Sequence, residues 1–181
     1  MEYLKLEGSL DELGEAWSRY TKYLAGVKDR LPSDVYEFAL APWHYDPADH
    51  RSLHDSWVEE LTVVEAPAVR ADDFHEGPIA VDVRQMAIHV RLLGAYHDGH
   101  TTLWYTGVRR YELEGVTEVD ERGPRMRGHG DWLLDEVRLA PSGAVLHEVM
   151  FASQSRWLIE CECIKHSTTI PPLRDPGFGT S

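Results

Sequence analysis

The apolar periodicity of the chain changes once, near Trp57, and this change limits the possible fold more than any other feature of the sequence. Before it, apolar residues recur three or four positions apart, as on one face of an α-helix. After it, apolar and polar residues alternate in short runs, as in strands with one buried face. The sequence therefore predicts an α+β fold: a mainly antiparallel sheet of about six strands, with an N-terminal amphipathic helix and a short second helix packed against it.

The helical part of the chain is expected over residues 9–41. Ser9 and Glu12 have the spacing of a capping box, which starts a helix, and Pro32 is expected to end it. One apolar stripe lies between them and consists of Leu10, Leu13, Trp17, Tyr20, Leu24, Val27 and Leu31. Because this stripe also has the spacing of a coiled-coil seam, it predicts either packing on the sheet or a homodimer through the Leu10 to Leu31 face. A second short helix is expected from Ser33.

Six runs with a period of two are strand candidates. They cover residues 58–65, 79–96, 100–114, 132–140, 144–151 and 156–165. Hairpin-length connections join the last three, which predicts an antiparallel meander. We therefore expect one domain over residues 1–166, with its sheet at 57–165. Residues 167–181 are rich in Pro, Gly, Ser and Thr and predict an irregular or flexible tail.

The charge of the chain restricts the classes of partner. Asp and Glu number 31 against 18 Lys and Arg, for a formal net charge of −13. Such a charge disfavours nucleic acids and anionic membranes as general partners. The negative charge would either only keep the protein in solution or also attract a basic protein partner.

Three further features predict a cytoplasmic protein. No apolar run approaches the roughly 20 residues that span a bilayer, so no membrane partner is expected. The first residues do not combine a basic region with an apolar stretch, so no signal peptide is predicted. Cys161 and Cys163 are two positions apart on one expected strand, which is a poor arrangement for a disulfide and predicts reduced thiols.

The stretch from His97 to His100 places two histidines around Asp98 and Gly99. Asp-Gly between two strand-like runs indicates a two-residue type I′ turn, in which His97 would pair opposite His100. Counting by twos also places Tyr96 on the core face. Polar residues beside a turn explain the pair of histidines, although two imidazoles at this spacing would also be able to share a Zn²⁺ if a third ligand came from elsewhere.

A second cluster lies in the loop-like stretch from residue 44 to residue 55. It contains His44, His50, His54, Asp46, Asp49 and Asp55. Imidazole and carboxylate ligands together suit Zn²⁺ or another divalent metal, so His44, His50, His54 and Asp55 are metal-ligand candidates together with His97 and His100. Aspartate and proline are also ordinary turn residues, and this simpler interpretation is favoured.

Asp135 is expected to share a strand face with apolar core residues. A buried carboxylate must be hydrogen-bonded, paired with a cation or protonated. It would therefore be either a catalytic acid or base or a structural carboxylate, and the structural interpretation is favoured. His129 and Asp131 come just before the same strand and would be able to join Asp135 at the end of the sheet.

Three functions remain open at this point. The favoured one is a non-enzymatic acidic binding protein that holds a basic protein partner. A metal-dependent, hydrolase-like enzyme or metal-binding protein is the alternative, and a homo-oligomeric structural protein is the second alternative. Phosphate-binding loops, dinucleotide-binding glycine motifs and serine-nucleophile motifs are absent from the sequence, so no organic cofactor is predicted.

Residues 53–163 contain a succession of strand-like segments: LHDSWVEELTV, LWYTGVRRYEL, WLLDEVRL, HEVMF and WLIECECI. This succession, which covers about 60% of the chain, resembles small bacterial proteins of the polymorphic-toxin immunity type. The resemblance implies an α+β fold and a protein-binding role, such as that of an immunity-type inhibitor of a basic protein partner. It does not assign site residues.

Overall fold

A computed structural model describes residues 1–4, 8–67, 84–115, 119–120, 123–124 and 128–170. Helix α1 covers Leu10–Val27 and helix α2 covers Ser33–Leu40, with 3₁₀ turns at Lys28–Arg30 and Pro42–Tyr45. The strands are β1 (Trp57–Pro67), β2 (Arg84–Leu93), β3 (His100–Val108), β4 (Arg110–Leu113), β5 (Val119–Asp120), β6 (Gly123–Pro124), β7 (Trp132–Leu139), β8 (Val145–Phe151), β9 (Arg156–Cys161) and β10 (Cys163–Thr169). Ser9 caps α1 in the predicted capping box with Glu12.

Two antiparallel sheets of four strands each form the body of the fold, in the orders β1-β2-β3-β10 and β4-β9-β8-β7. The α+β prediction with an N-terminal helix is confirmed, but the two sheets contain eight strands rather than six. Only Arg109 separates β3 from β4, and only Glu162 separates β9 from β10. Each of these pairs is one long strand of the predicted set that leaves one sheet and enters the other. In addition, β5 and β6 form a short ribbon.

Gly107 explains why the long strand over residues 100–113 is divided. Its φ is +61°, and a Cβ at this position would lie 2.6 Å from the Glu162 side chain. Glycine alone adopts this conformation and tolerates this contact without strain. On either side of the bend, Glu162 N donates to Thr106 O at 3.0 Å and Arg109 N donates to Glu160 O at 2.8 Å. Both strands therefore bend together and stay paired.

The connection between β2 and β3 differs from the predicted two-residue turn. Leu93 pairs with His100, so residues 94–99 form a six-residue loop, and His97 does not pair with His100. The left-handed residue is His97, with φ +56°. Tyr96 is 49% exposed and is not in the core. The loop is closed instead by hydrogen bonds from Gly94 N to Gly99 O and from His97 N to Gly94 O.

Strand β10 continues further than the predicted end of the sheet at residue 165. It pairs with β3 as far as Thr169, which lies opposite His100. Gly99 permits this contact, because a Cβ there would lie 2.6 Å from Thr169 O. The first residues of the expected tail are therefore strand, and residues 171–181 lie outside the described part of the chain.

The apolar stripe of α1 packs inside the chain. Tyr20 and Leu24 are fully buried, and Leu31 is nearly so, so this part of the helix face is not open to a second copy of the chain. The Tyr20 hydroxyl accepts from Val137 N at 2.8 Å and donates to Val137 O at 3.1 Å. The hydroxyl of Tyr23 accepts from Leu139 N at 2.8 Å. These tyrosines cover the free edge of β7, which protects that edge from pairing with another chain.

Strands β1 and β7 meet at one end of the molecule. Trp57 and Asp131 form an isolated antiparallel bridge. Next to it, Trp132 N donates to Ser56 O at 2.9 Å and Asp55 N donates to Trp132 O at 2.8 Å. The strands therefore close at this end in the manner of a barrel, and the connecting loops gather there.

The outer face of β7 and β8 carries two buried glutamates. Glu136 accepts hydrogen bonds from the backbone N–H groups of residues 2–4 and lies 2.7 Å from the Arg138 Nε. Glu148 pairs with Arg138 as well. The buried carboxylates thus attach the N-terminal residues to the sheet. In the described part of the chain, no helix has the length and apolarity needed to cross a membrane.

Candidate functional site

Asp135 lies at the centre of a buried polar network, with only 2% of the residue exposed. Its carboxylate accepts from His44 Nε2 at 2.8 Å, from Trp132 Nε1 at 2.9 Å and from His147 Nε2 at 2.9 Å. The Tyr105 hydroxyl lies 2.9 Å from His147 Nδ1. The network joins the segment after α2 to both sheets.

Both histidines of this network are engaged at both ring nitrogens. The Nδ1 of His44 lies 3.1 Å from the carbonyl oxygen of Phe38, and its Nε2 faces the Asp135 carboxylate. His147 contacts the same carboxylate through Nε2 and the Tyr105 hydroxyl through Nδ1. Burial alone would raise the pKa of Asp135, but the two histidines hold that pKa below its usual range.

This arrangement favours the structural interpretation of Asp135 over the catalytic one. A general base needs a free acceptor atom within reach of its substrate. Both ring nitrogens of His44 and of His147 are occupied inside the network, and neither side chain is exposed. The period-two pattern predicts that His147 lies on the strand over residues 144–151, but it does not pair His147 with Asp135. The sequence does contain a signal for this contact. Asp135 and His147 both occupy core-facing positions of the period-two pattern, and they lie on neighbouring strands of the predicted meander.

Five of the other sequence candidates lie at the closed end of the strands: His50, His54, Asp55, His97 and Asp131. We call this surface the loop face; it consists of residues 46–55, residues 94–99, Trp57, Asp131 and residues 152–155. The His50 ring stacks on the Tyr96 ring with centroids 4.0 Å apart, and its Nδ1 lies 2.6 Å from the Asp98 carboxylate. The backbone N–H of Ala152 donates to Asp131 O at 2.8 Å. The two histidine-containing stretches of the sequence are thus brought into contact.

Two large aromatic side chains stand partly exposed on the loop face. Trp57 and Tyr96 are each 49% exposed. The Trp57 indole donates to the Asp131 carboxylate and lies edge-on to the His97 ring, with centroids 4.9 Å apart. The Tyr96 hydroxyl donates to Pro47 O at 3.1 Å. Both rings are therefore held in place while half of their surface faces solvent.

Aspartates surround these aromatic residues. The loop face contains Asp46, Asp49, Asp55, Asp98 and Asp131. Its one arginine, Arg51, hydrogen-bonds to Asp49 with both Nε and Nη2 and lowers the pKa of that carboxyl to about 2. With five carboxylates against one guanidinium, the surface is strongly acidic.

The backbone of the loop face is also strained. Asp55, His97 and Gln154 have φ values of +61°, +56° and +66°, and they are the only non-glycine residues with positive φ in the described part of the chain. Side chains other than glycine adopt this conformation at a cost, so strained residues persist where the surrounding structure enforces them. Such residues concentrate at functional sites, and here all three lie on one surface.

The predicted metal ligands do not converge. His44 is in the buried network and His50 pairs with Asp98. His54 bonds to Leu133 O at 2.8 Å, with Asp55 3.5 Å from its other nitrogen, while His97 contacts Trp57. His100 lies 3.1 Å from Glu59. Among the described residues, no group of three His, Cys, Asp or Glu side chains is arranged to hold a metal ion.

The three residues proposed for catalysis have separate partners. Asp135 belongs to the buried network, and Asp131 binds the Trp57 indole. The His129 ring packs against Phe151 and against the Trp157 ring, and burial lowers the pKa of His129. None of the contacts described for these three residues joins one of them to another.

Comparisons of the chain with protein-family models, with curated proteins and with solved structures gave no match.

Proposed function

We propose that the protein is a non-enzymatic binding protein that holds a basic protein partner on its acidic loop face. One observation carries the proposal: Trp57 and Tyr96 are half exposed and fixed within a group of five aspartates. Exposed, rigid aromatic residues are the commonest energetic anchors of protein interfaces. Aspartates around them would steer a basic partner to the surface and exclude acidic ones.

The buried network supports binding rather than chemistry. His44, His147 and Asp135 are fully engaged with one another and with neighbouring groups, so they offer no free acid or base to a substrate. The resemblance to immunity-type proteins agrees with this proposal, because such a protein would inhibit its partner by occupying it. We place the proposed interaction in the cytoplasm, since both cysteines are free thiols.

Affinity capture from an extract of the source cells tests the proposal. The immobilised wild-type chain is compared with a Trp57→Ser, Tyr96→Ser double variant. Tyr111→Ser is the matched control, because Tyr111 is a similarly exposed aromatic residue outside the loop face. We expect the wild type and the control to retain the same basic protein at low salt and to release it at high salt, because the attraction between exposed charges is screened.

The double variant should bind that protein at least about 30-fold more weakly, since truncation of an anchor residue costs about 2 kcal/mol. Circular dichroism and thermal unfolding establish that each variant is folded. If all three proteins retain the same partners equally well, or if the retained partner is acidic, the loop face is not the binding surface and the proposal is wrong.

A further inference from the structure

The two strands that meet at the closed end of the molecule, β1 and β7, differ in how their outer edges are covered. Tyrosines of α1 hydrogen-bond to the edge of β7. Strand β1 is the first strand of its sheet and pairs with β2 on one side. On its other side, the described contact with a strand is the bridge from Trp57 to Asp131. In the described part of the chain, the edge of β1 beyond Trp57 therefore has no neighbouring strand.

An open edge of this kind is a template for another strand. Alternate residues of an edge strand direct their backbone N–H and C=O groups away from the sheet, and proteins usually protect such an edge with lysine, proline or a bulge. Strand β1 has a bulge between Val58 and Glu60 and a proline at its end, Pro67. Between these two features, residues 60–66 contain neither lysine nor proline.

Apolar side chains on the inner face of β1 are incompletely covered. Leu61 and Val63 share this face with their partners on β2, and those partners are fully buried. Val63 is nevertheless 37% exposed, and Leu61 is partly exposed. One more strand beside β1 would cover both, because alternate side chains of neighbouring strands pack together on one face of a sheet.

The charge of β1 restricts which strand fits. The strand contains three glutamates and no lysine or arginine. Glu59 is paired with Arg91 at 3.2 Å. Glu60 and Glu65 are exposed, and among the described residues neither has a cationic partner. A second copy of β1 is disfavoured, since full antiparallel overlap would set Glu59 of each copy opposite Glu65 of the other, and like charges directly opposite are destabilising.

We infer that β1 binds an extended segment of the basic partner as an added antiparallel strand. Main-chain hydrogen bonds to the open edge would give affinity, and side chains would give specificity. Apolar side chains at the centre of the segment would cover Leu61 and Val63. Basic side chains at its two ends would lie opposite Glu60 and Glu65. The edge begins at Trp57 of the loop face, and the inference rests on the proposed function because it assigns a segment of the same partner.

Peptide titrations of the full chain test the edge without the partner. The probe is N-acetyl-Lys-Lys-Thr-Val-Thr-Val-Lys-Lys-amide. One control peptide carries N-methyl groups on the two central residues, which keeps the charge but blocks both edges of the strand. Another has glutamate in place of lysine. We expect saturable shifts of the backbone amide resonances of residues 58–65 with the basic probe alone. At about ten times its dissociation constant, the outward-pointing amides among them should exchange hydrogen about tenfold more slowly.

The Glu60→Lys, Glu65→Lys double variant tests the role of charge. It should bind the basic probe at least about tenfold more weakly and gain binding of the acidic peptide, because two attractive cross-strand pairs become repulsive. Glu112→Lys, Glu114→Lys is the matched control, since it makes the same change of charge at β4, an edge strand of the other sheet. Circular dichroism establishes that both variants are folded.

Absence of saturable binding, equal binding of the N-methylated peptide, shifts centred on another strand, or an unchanged affinity in the Glu60, Glu65 variant would overturn the inference. Capture of a basic partner that depends on Trp57 and Tyr96 would still stand in that case. Peptide binding at β1 without such capture would instead overturn the proposed function, so the two failures are distinguishable.

Discussion

The imidazole of His44 and the carboxylate of Asp135 form an ion pair with an Nε2–Oδ1 distance of 2.8 Å, and neither side chain is more than 2% exposed. The pair is stable in the interior because its remaining atoms are also satisfied, by the Phe38 carbonyl and by Trp132 and His147. Removing one member of such a pair leaves an uncompensated buried charge, so its two members depend on each other.

Asp135→Asn should therefore lower the free energy of unfolding by about 3–5 kcal/mol, the usual cost of breaking a buried ion pair. Urea titration followed by tryptophan fluorescence measures this value. Glu112→Gln is the control, since Glu112 pairs with Arg110 on the exposed surface, where ion pairs contribute little. Similar urea midpoints for the two variants would show that the buried pair does not hold the fold together.

The pKa of Asp135 gives a prediction about acid stability. Its folded pKa is lowered from the ordinary value of 3.8, because the attraction and hydrogen bonds of the two histidines exceed the opposing effect of burial. A carboxyl group whose pKa is lowered in the folded state contributes its full stabilisation at pH values above its pKa in the unfolded chain. That stabilisation is lost as the pH falls from the unfolded-state pKa through the folded-state pKa. The carboxyl carbon-13 shift of Asp135 should therefore show no titration step at or above pH 3.8 while the protein stays folded. A step there would contradict the ion-paired state.

The two cysteines should react slowly in the native protein. Burial raises the pKa of Cys161 to about 12, and burial also raises the pKa of Cys163. Because the thiolate is the reactive form, iodoacetamide at pH 8 should label Cys161 much more slowly in the folded chain than in urea. Mass spectrometry of timed samples gives both rates. Equal rates in the two conditions would mean that Cys161 is accessible and ionised in the folded protein.

Relief of backbone strain on the loop face should be measurable at Gln154, whose φ is +66° and whose side chain is exposed. Gln154→Gly should raise the free energy of unfolding by about 0.5–1 kcal/mol, because the relieved left-handed strain exceeds the entropy cost of glycine. Gln154→Ala is the matched control, since it removes the same side chain but keeps Cβ. If both variants unfold at the same temperature, the conformation at this position carries no strain.

The fold class was predictable from the sequence because the change of period near Trp57 reflects one physical rule, the burial of a single face in each element. The number of strands was not predictable from the sequence, because Gly107, where the long strand bends, occupies what looks like an ordinary strand position in a period-two pattern. The β2–β3 loop was mispredicted for a related reason. Asp98-Gly99 favours a two-residue turn locally, but the actual loop is held by a contact of Asp98 with His50, 48 residues away in the chain.

The candidate site was predictable only in part. The burial of Asp135 is predictable because it occupies a core-facing position in the period-two pattern of its strand. Its partner His44 is not predictable in this way, since it lies 91 residues away and the sequence makes it a metal-ligand candidate. The sequence also places residues 44–55 and 97–100 in separate clusters, and it is the pairing of Trp57 with Leu93 in the β1–β2 ladder that brings them together. The half exposure of Trp57 and Tyr96 depends on this tertiary arrangement, so the sequence contains no local signal for it.

Zero-length carbodiimide cross-linking of the captured complex tests the central claim most directly, because it joins carboxylates of this chain to lysines of the partner that they touch. We expect the cross-links to be concentrated on Asp46, Asp55, Asp98 and Asp131 of the loop face. The exposed Glu162, which lies at the bend between β9 and β10, is the internal comparison within the same sample. Cross-links found mainly at Glu162 or on helix α1, with none on the loop face, would contradict the account.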